Sequence, residues 1–302
     1  MLESTKEDLV AGDRPAGVPE SAHKVWDDGV NADSLRPGDL WILSWDNEVL
    51  GIALIAAARD DFTLAWPVTL PGEASFAPGL VIENSPLGIP VTLWPSRETG
   101  IGLHLLDRNL GRLLDGDVIR PLAFALEDGE EPAFPAAPGS AWDEDNRDAD
   151  RALVEHWSEL CFHMAGGEDE MRLDSERVLA AGGSSKSTME LLGMSPQQLR
   201  PIWDGVEAID HEQLAALAEH LGVVETTLLQ PDPLAGVVTR LAAPRFKPAI
   251  KERMEATGWS EAEVRGAARS EYTLAARDDA DTADAIDRKL RDAIARTGRA
   301  PA

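Results

Sequence analysis

The chain has 302 residues, is 43% hydrophobic, and carries 54 acidic against 28 basic side chains, for a net charge of −26. This length predicts about two domains, with enough apolar residues for real cores. There is no run of about 18 apolar residues, so no membrane span is predicted, and the acidic, polar start predicts no secretory signal. A single cysteine rules out an internal disulfide, and a cytoplasmic location is expected.

The negative charge is concentrated before residue 240. Residues 1–239 hold 43 acidic and 15 basic side chains, whereas residues 240–302 hold 11 acidic and 13 basic ones. The acidic part should repel phosphate at long range and so weaken non-specific attraction to DNA. The simpler interpretation is that the excess charge keeps the protein soluble.

The N-terminal half predicts a polar leader and then strands. Residues 1–35 are polar with little periodicity and predict a leader with at most one short helix. From residue 36 to 124 the sequence consists of short runs rich in Ile, Val, Leu and Trp, separated by Gly, Pro, Asn or Asp. These runs are GDLWILSW, VLGIALIAAA, DFTLAWPVTL, GLVIENS and PVTLWPS. Such spacing is typical of a small barrel or sandwich.

Two segments follow these strands. LHLLDRNLGRLL has apolar residues three and four apart, which predicts a helix that closes the domain. Residues 125–150 are rich in Pro, Gly, Ala and acidic side chains, and they predict an extended linker.

The C-terminal half is predicted to be helical. Residues 151–236 are assigned to one helical domain, and residues 237–302 to additional C-terminal helices. In DRALVEHWSELCFHMA, an apolar stripe predicts that Leu153, Trp157, Leu160 and Cys161 lie in a core. Further helices are expected near 244–257, 259–277 and 282–296. The predicted fold class is therefore α+β, a small N-terminal β-barrel followed by an all-α domain with extra C-terminal helices.

The most informative motif begins at STMELLGM. Gly193 can supply a tight turn after this helix because glycine tolerates positive φ. Ser195 can cap the next helix, and Pro196 suits its first position. Leu199 and Ile202 then form a buried face. Later in the same region, DHEQLAALAEHLGV predicts an amphipathic helix capped by its aspartate.

Polar side chains occupy the opposite face of the helix after the turn. In a helix-turn-helix, one helix enters the major groove and a second braces it across the backbone. Gln pairs with adenine edges, and Arg pairs with guanine or phosphate. The predicted base-reading residues are Gln197, Gln198 and Arg200. In the C-terminal segment, Arg240, Lys247 and Lys251 can add phosphate contacts, although an ordinary solvated helix face is the alternative.

The segment from about residue 175 to 230 resembles the lambda-repressor-like (Cro-type, XRE) helix-turn-helix family. The matching features are the Gly-Met-Ser turn at 193–195, Gly205, and the run Ala-Glu-His-Leu-Gly-Val at 218–223. The resemblance implies a transcriptional regulator that binds double-stranded DNA. Such proteins often act as dimers because two half-sites multiply the affinity, so a homodimer is expected.

Three features depart from this family pattern. Trp203 stands where the family often has Glu, Pro201 lies inside the reading helix, and the segment from Glu207 to Glu225 is acidic. An internal proline removes a helical hydrogen bond. An alternative therefore stays open, in which the fold contacts protein. The chain would then be an antitoxin-like or scaffold protein whose acidic surface engages a basic protein partner.

Residues 36–115 resemble the MazF/PemK-like toxin barrel in a Pro-Gly-Asp opening, in WPVTLPG and in LLDRNLGRLL. The resemblance implies a ribonuclease that uses an Arg on the second strand and a Thr. The second strand here, NEVLGIALIAA, has no Arg, so only Thr69 can be carried over. Arg97 and His104 are the nearby candidates for phosphate contact and proton transfer. A non-catalytic barrel is predicted, with ribonuclease as the third alternative.

No metal or cofactor site is predicted. His211 and His220 are nine residues apart, which is not the spacing of zinc ligands one helical turn apart. Cys161 and His163 offer two ligands, whereas a metal site needs three or four. The run AAGGSSKST lacks the spacing of a phosphate-binding loop.

Overall fold

The computed structural model describes residues 14–15, 17–30, 35–165, 172–232, 234–275 and 282–298. The chain divides into two compact units. The first comprises Met1–Ala165 and Ala242–Glu252, and the second comprises Gly166–Leu241 and Arg253–Ala302. This division differs from the predicted domain boundaries at residues 36, 125, 151 and 237.

The first unit is mixed α/β. Its strands are β1 (Asp39–Trp45), β2 (Glu48–Ala58), β3 (Phe62–Thr69), β4 (Leu80–Ile82), β5 (Val91–Leu93), β6 (Thr99–Gly102) and β7 (Leu106–Arg112). Its helices are α1 (Glu20–Asp28), α2 (Gly116–Glu127) and α3 (Glu144–Cys161).

The seven strands form one antiparallel sheet that is not closed into a barrel. The strand order is β4-β5-β3-β2-β1-β7, and β6 pairs with the N-terminal part of β3. The predicted small N-terminal barrel is therefore wrong, although the five runs read as strands do form β1 to β5.

Both faces of this sheet are buried, which gives a physical reason for its open form. Leu40 of β1 faces a core that includes Trp26 of α1. The next residue, Trp41, faces a second core that includes Trp157 of α3. A small barrel buries one face of each strand, whereas a sheet between two layers buries consecutive residues. The unbroken apolar run at 40–43 is the signal of the layered arrangement.

The residues on either side of β1 have positive φ. Gly38 has φ +91°, and a Cβ atom there would lie 2.0 Å from the carbonyl oxygen of Leu114, so this position requires glycine. At the other end, Asp46 and Asn47 have φ of 49° and 66°. Two successive positive φ values are typical of the type I′ turn, which matches the twist of a two-stranded hairpin.

The predicted helix LHLLDRNLGRLL is also wrong. Leu103–Leu105 form a short 3-10 turn, and the following residues form β7. The pairing of β7 with β1 contains two register irregularities, between Leu40/Trp41 and between Ile42/Leu43. Such irregularities interrupt the strict alternation of a strand, so the apolar spacing of β7 imitates that of a helix.

Parts of the predicted leader and linker are structured. Within the predicted leader, α1 buries Trp26 completely in the first core. Within the predicted linker, the amide of Val81 donates to the carbonyl oxygen of Pro135 at 2.9 Å, so this segment runs beside β4 at one end of the sheet. Covering an edge strand in this way blocks pairing with another chain.

The predicted apolar stripe of α3 is confirmed at three of its four positions. Leu153, Trp157 and Leu160 are buried, and they pack in the second core of the first unit. Cys161 is exposed, so its predicted core position is wrong. Cys161 is the last residue of α3, and it lies about 100° around the helix from the buried Leu160.

The second unit is helical, with one short ribbon. It contains β8 (Arg172–Leu173), α4 (Ser175–Ala180), α5 (Ser185–Leu192), α6 (Pro196–Trp203), α7 (His211–Leu221), β9 (Leu229–Gln230), α8 (Ala235–Leu241), the second half of α9 (Lys247–Thr257), α10 (Glu261–Ala275) and α11 (Ala283–Arg296). β8 and β9 pair antiparallel. The three predicted C-terminal helices are confirmed, whereas an all-α description misses this ribbon.

The start of α10 is held by a capping box. The amide and hydroxyl of Ser260 donate to Oε2 of Glu263 at 2.7 and 2.8 Å, and the amide of Glu263 donates to Oγ of Ser260 at 3.3 Å. The backbone hydrogen bond from Ser260, followed by that from its hydroxyl, lowers the pKa of Glu263 from its ordinary value of 4.5.

A titration of Glu263 tests this cap. Because the folded-state pKa is lowered, its stabilisation is fully present above about pH 4.5 and is lost as the pH falls through the folded value. We expect an NMR titration to place the Glu263 midpoint below 4.5, and Ser260→Ala to move it upward. Glu263→Gln, which removes the signal, identifies the resonance. A midpoint unaffected by Ser260→Ala would contradict the hydroxyl's contribution.

Candidate functional site

A tight turn joins α5 to α6. Gly193 ends α5 in left-handed backbone with φ 65°, and the amide of Met194 donates to the carbonyl oxygen of Met189 at 3.1 Å. Ser195 is already the N-cap of α6. The chain thus changes direction within residues 193–195, and the predicted role of Gly193 is confirmed.

The N-terminus of α6 is held by a capping box. Oγ of Ser195 accepts from the amide of Gln198 at 3.4 Å. In return, Oε1 of Gln198 accepts from the amide and hydroxyl of Ser195 at 2.9 and 2.8 Å. Pro196 stands at the first helical position, where its missing amide hydrogen costs nothing. The side-chain oxygen predicted to read a base at Gln198 is therefore engaged by the cap.

α6 has one buried and one exposed face. Leu199 and Ile202 are 2% and 7% exposed, which confirms the predicted buried face. Ile202 packs in the core of the second unit with Leu214 and other apolar residues. On the other face, Gln197 is exposed and Arg200 is 68% exposed. A single helix thus presents an amide and a guanidinium to solvent above an anchored apolar side.

The C-terminal half of α6 contains the two unusual residues. Pro201 lies inside the helix and cannot donate to the carbonyl of Gln197. Its own carbonyl oxygen accepts from the amides of Val206 and Glu207 at 2.8 and 3.1 Å. Trp203 is partly buried and packs against the core of the second unit. Trp203 therefore contributes to the packing of this core.

The surroundings of α6 are acidic. Residues 184–228 contain seven acidic and two basic side chains. Asp204 lies 3.7 Å from Nε of Arg200, in an exposed pair one helical turn apart. Such a pair is worth a few tenths of a kcal/mol, so a phosphate or a base can displace it. Asp210, at the start of α7, adds to this negative charge. Its predicted role as the N-cap of α7 is confirmed.

The three C-terminal cations predicted to contact phosphate are engaged in contacts within the protein. Nε of Arg240 pairs with Asp287, and its Nη2 donates to the carbonyl oxygen of Ala283 at 2.9 Å. Both Lys247 and Lys251 belong to the first unit. Lys247 is 1% exposed, and Nζ of Lys251 lies 2.7 Å from Asp107. At these three positions, the basic side chains of residues 240–302 therefore make contacts within the protein.

The ribonuclease candidates each have a structural partner. Thr69, 7% exposed, donates to the carbonyl oxygen of Ala74 at 2.6 Å and accepts from Nε1 of Trp94 at 2.9 Å. Nη2 of Arg97 lies 2.7 Å from Asp150. His104, 6% exposed, has Nε2 at 3.1 Å from Nδ1 of His163. An acid, a base and a phosphate ligand need to converge on solvent, whereas Thr69 and His104 are buried.

The turn after α6 is contacted by a residue that the sequence did not predict to be near it. Arg269 of α10 donates to the carbonyl oxygen of Val206 and to Asp232, which follows β9. These residues are distant in the sequence, and no local pattern marks them. Only their meeting in the fold connects them with the turn after α6.

In the part of the chain that the structure describes, no three His, Cys, Asp or Glu side chains lie together as a possible metal site. Within the same ranges, none of the helices combines the length and apolar character that crossing a membrane requires.

Comparison of the chain with models of protein families, with curated proteins and with solved structures yielded no match.

Proposed function

We propose that the chain is a cytoplasmic DNA-binding regulator that places α6 in the major groove, acts as a homodimer, and carries its first unit as a non-catalytic domain. The observation that carries this proposal is the tight turn before α6, which leaves Gln197 and Arg200 exposed opposite Leu199 and Ile202. α5 serves as the bracing helix. The resemblance of residues 175–230 to lambda-repressor-like proteins supports the same assignment.

We propose two base-reading residues, because the side chain of Gln198 is engaged in the cap of α6. Gln197 offers its exposed amide group to an adenine edge, and Arg200 suits guanine or phosphate. Gln198 keeps the N-terminus of α6 in place through Ser195. Because helix N-termini attract phosphate, this end also suits a contact with the DNA backbone.

The acidic side chains limit the affinity of such a protein for DNA of random sequence. Seven acidic side chains around α6 repel the phosphate backbone, and the affinity for random DNA falls accordingly. Binding then depends on short-range contacts to a matching sequence. We therefore expect a large ratio of specific to non-specific affinity.

Sequencing of genomic DNA retained by the purified protein tests the proposal. We expect a few discrete sites, and loss of each bidentate base contact costs about 1–3 kcal/mol of discrimination. Gln197→Ala combined with Arg200→Ala should therefore abolish enrichment. Arg151→Ala is the matched control, since Arg151 is 61% exposed in the first unit and should leave the profile unchanged. A flat wild-type profile would contradict the proposal.

A second candidate function, binding of a basic protein partner, is favoured by the same acidic surface, since residues 184–228 contain seven acidic side chains and only two basic ones. In that case the wild-type chain gives a flat DNA profile and binds a lysine-rich peptide in a salt-sensitive manner. Gln197→Ala with Arg200→Ala should not affect this binding. Discrete DNA sites together with no peptide binding would eliminate this candidate.

A further inference from the structure

Arg269 connects α10 to the chain that follows α6. Its Nη1 donates to the carbonyl oxygen of Val206, and its Nη2 lies 2.7 Å from Oδ1 of Asp232. The side chain is 10% exposed. A guanidinium held by two acceptors and shielded from solvent is fixed in orientation, because its planar donors match two partners at once.

The turn that Arg269 holds is the one that ends α6. The amides of Val206 and Glu207 donate to the carbonyl oxygen of Pro201, while Pro201 itself makes no amide bond within the helix. These turn bonds add to those from the amides of Asp204 and Gly205 to the carbonyl oxygens of Arg200 and Ile202, and together they end α6. Arg269 fixes the same peptide from its carbonyl side.

Asp232 links this contact to the rest of the second unit. Its Oδ1 also accepts from the amide of Leu234 at 2.8 Å, and Nε of Arg172 on β8 lies 3.9 Å away. The ribbon β8–β9 immediately precedes Asp232. Arg269 thus connects three segments: the end of α6, the end of the ribbon, and α10.

We propose that Arg269 is a positioning residue for α6, which fixes the C-terminal turn of this helix and with it the direction of the exposed face. The DNA part of this inference rests on the proposed function, whereas the contact with the α6 turn does not. In this proposal α10 contributes to DNA recognition through Arg269, which positions α6 without contacting the DNA itself.

Hydrogen exchange tests the contact without DNA. Arg269→Lys keeps the charge but cannot hold both acceptors in the same geometry. We expect amide exchange at 204–207 to accelerate about tenfold or more, the scale for losing a hydrogen bond from a charged donor, with α4 and α11 unchanged. Asp232→Asn should produce the same pattern more weakly, and it serves if the first variant does not fold. Arg288→Lys, at an exposed position on α11 of the same unit, is the matched control and should spare 204–207.

DNA binding by the same variants supplies the second readout. Arg269→Lys should weaken binding to the discrete sites about tenfold. Arg269→Gln, which removes the charge, should weaken it as well while leaving the slope of log affinity against log salt unchanged, because no phosphate contact is lost. A slope reduced by about one would indicate a direct phosphate contact and would overturn positioning. Exchange that rises uniformly through the second unit, or nowhere, would also overturn it. If wild-type protein selects no DNA, the proposed function fails, and the exchange result alone decides the contact.

Discussion

Replacing Arg265 with alanine is expected to destabilise the second unit by about 3–5 kcal/mol, because it leaves a carboxylate buried without its cation. Glu261 is 0% exposed and Arg265 is 5% exposed. Nε and Nη2 of Arg265 lie 3.0 and 2.7 Å from Oε1 of Glu261, and Nη1 donates to the carbonyl oxygen of Leu241 at 2.8 Å. Burial lowers the pKa of Arg265, while the charge and hydrogen bond of Glu261 raise it.

The double variant Arg265→Met with Glu261→Leu distinguishes the contribution of the ion pair to stability from that of the volume that the two side chains fill. Taking two charges out of water costs several kcal/mol per ion, so an apolar pair of similar size is often neutral or stabilising. We expect the double variant to recover most of the stability that Arg265→Ala loses. Urea unfolding followed by circular dichroism, with hydrogen exchange on α10, measures both. If Arg265→Ala costs under about 1 kcal/mol, water reaches Glu261 and the pair is not effectively buried.

Local chemistry explains what the sequence predicts correctly in the second unit. Gly193 acts through its own φ, and Ser195 acts through the amide three residues later. Leu199 and Ile202 lie nearly one helical turn apart on one face. Each signal is contained within about one turn, so the turn, the cap and the buried face of α6 can all be predicted without tertiary information.

The errors arise where distant parts of the chain decide the structure. Whether a sheet closes depends on what covers its two faces. Here one face is covered by Trp157 of α3, far from β1 in the sequence, and the other by Trp26 of α1, a helix that lies in the polar segment predicted to be a leader. β7 looks helical because irregular pairing with β1 shifts its apolar residues. Arg269 could not be predicted for the same reason, since Val206 is 63 positions away.

Lys247 shows how a charged residue with a plausible surface role becomes part of a core. Its Nζ donates to the carbonyl oxygens of Ser44 and His104 at 2.8 and 3.1 Å, and it lies 5.4 Å from the ring centroid of Trp45. These partners are 203 and 143 residues away from Lys247 in sequence. Buried carbonyl groups need donors, so the ammonium compensates its own desolvation by satisfying both.

Lys247→Ala is therefore expected to destabilise the first unit by about 3–5 kcal/mol, since it leaves two acceptors without this donor and creates a cavity. Lys247→Met preserves the stem and should lose less, about 2–3 kcal/mol, which isolates the ammonium. Lys24→Met, on the exposed side of α1, is the control and should stay within about 0.5 kcal/mol. If Lys247→Met matches wild type, desolvation cancels the two hydrogen bonds.

The same variants distinguish a buried lysine from a DNA contact. A lysine that touches phosphate releases a counterion, so its removal reduces the salt slope of DNA binding by about one. Because Lys247 is 1% exposed, we expect Lys247→Met to lower the stability of the first unit while leaving that slope unchanged. A reduced slope with unchanged stability would instead place Lys247 on the DNA-binding surface, and the basic C-terminal segment would then supply the phosphate contacts that the acidic neighbourhood of α6 lacks.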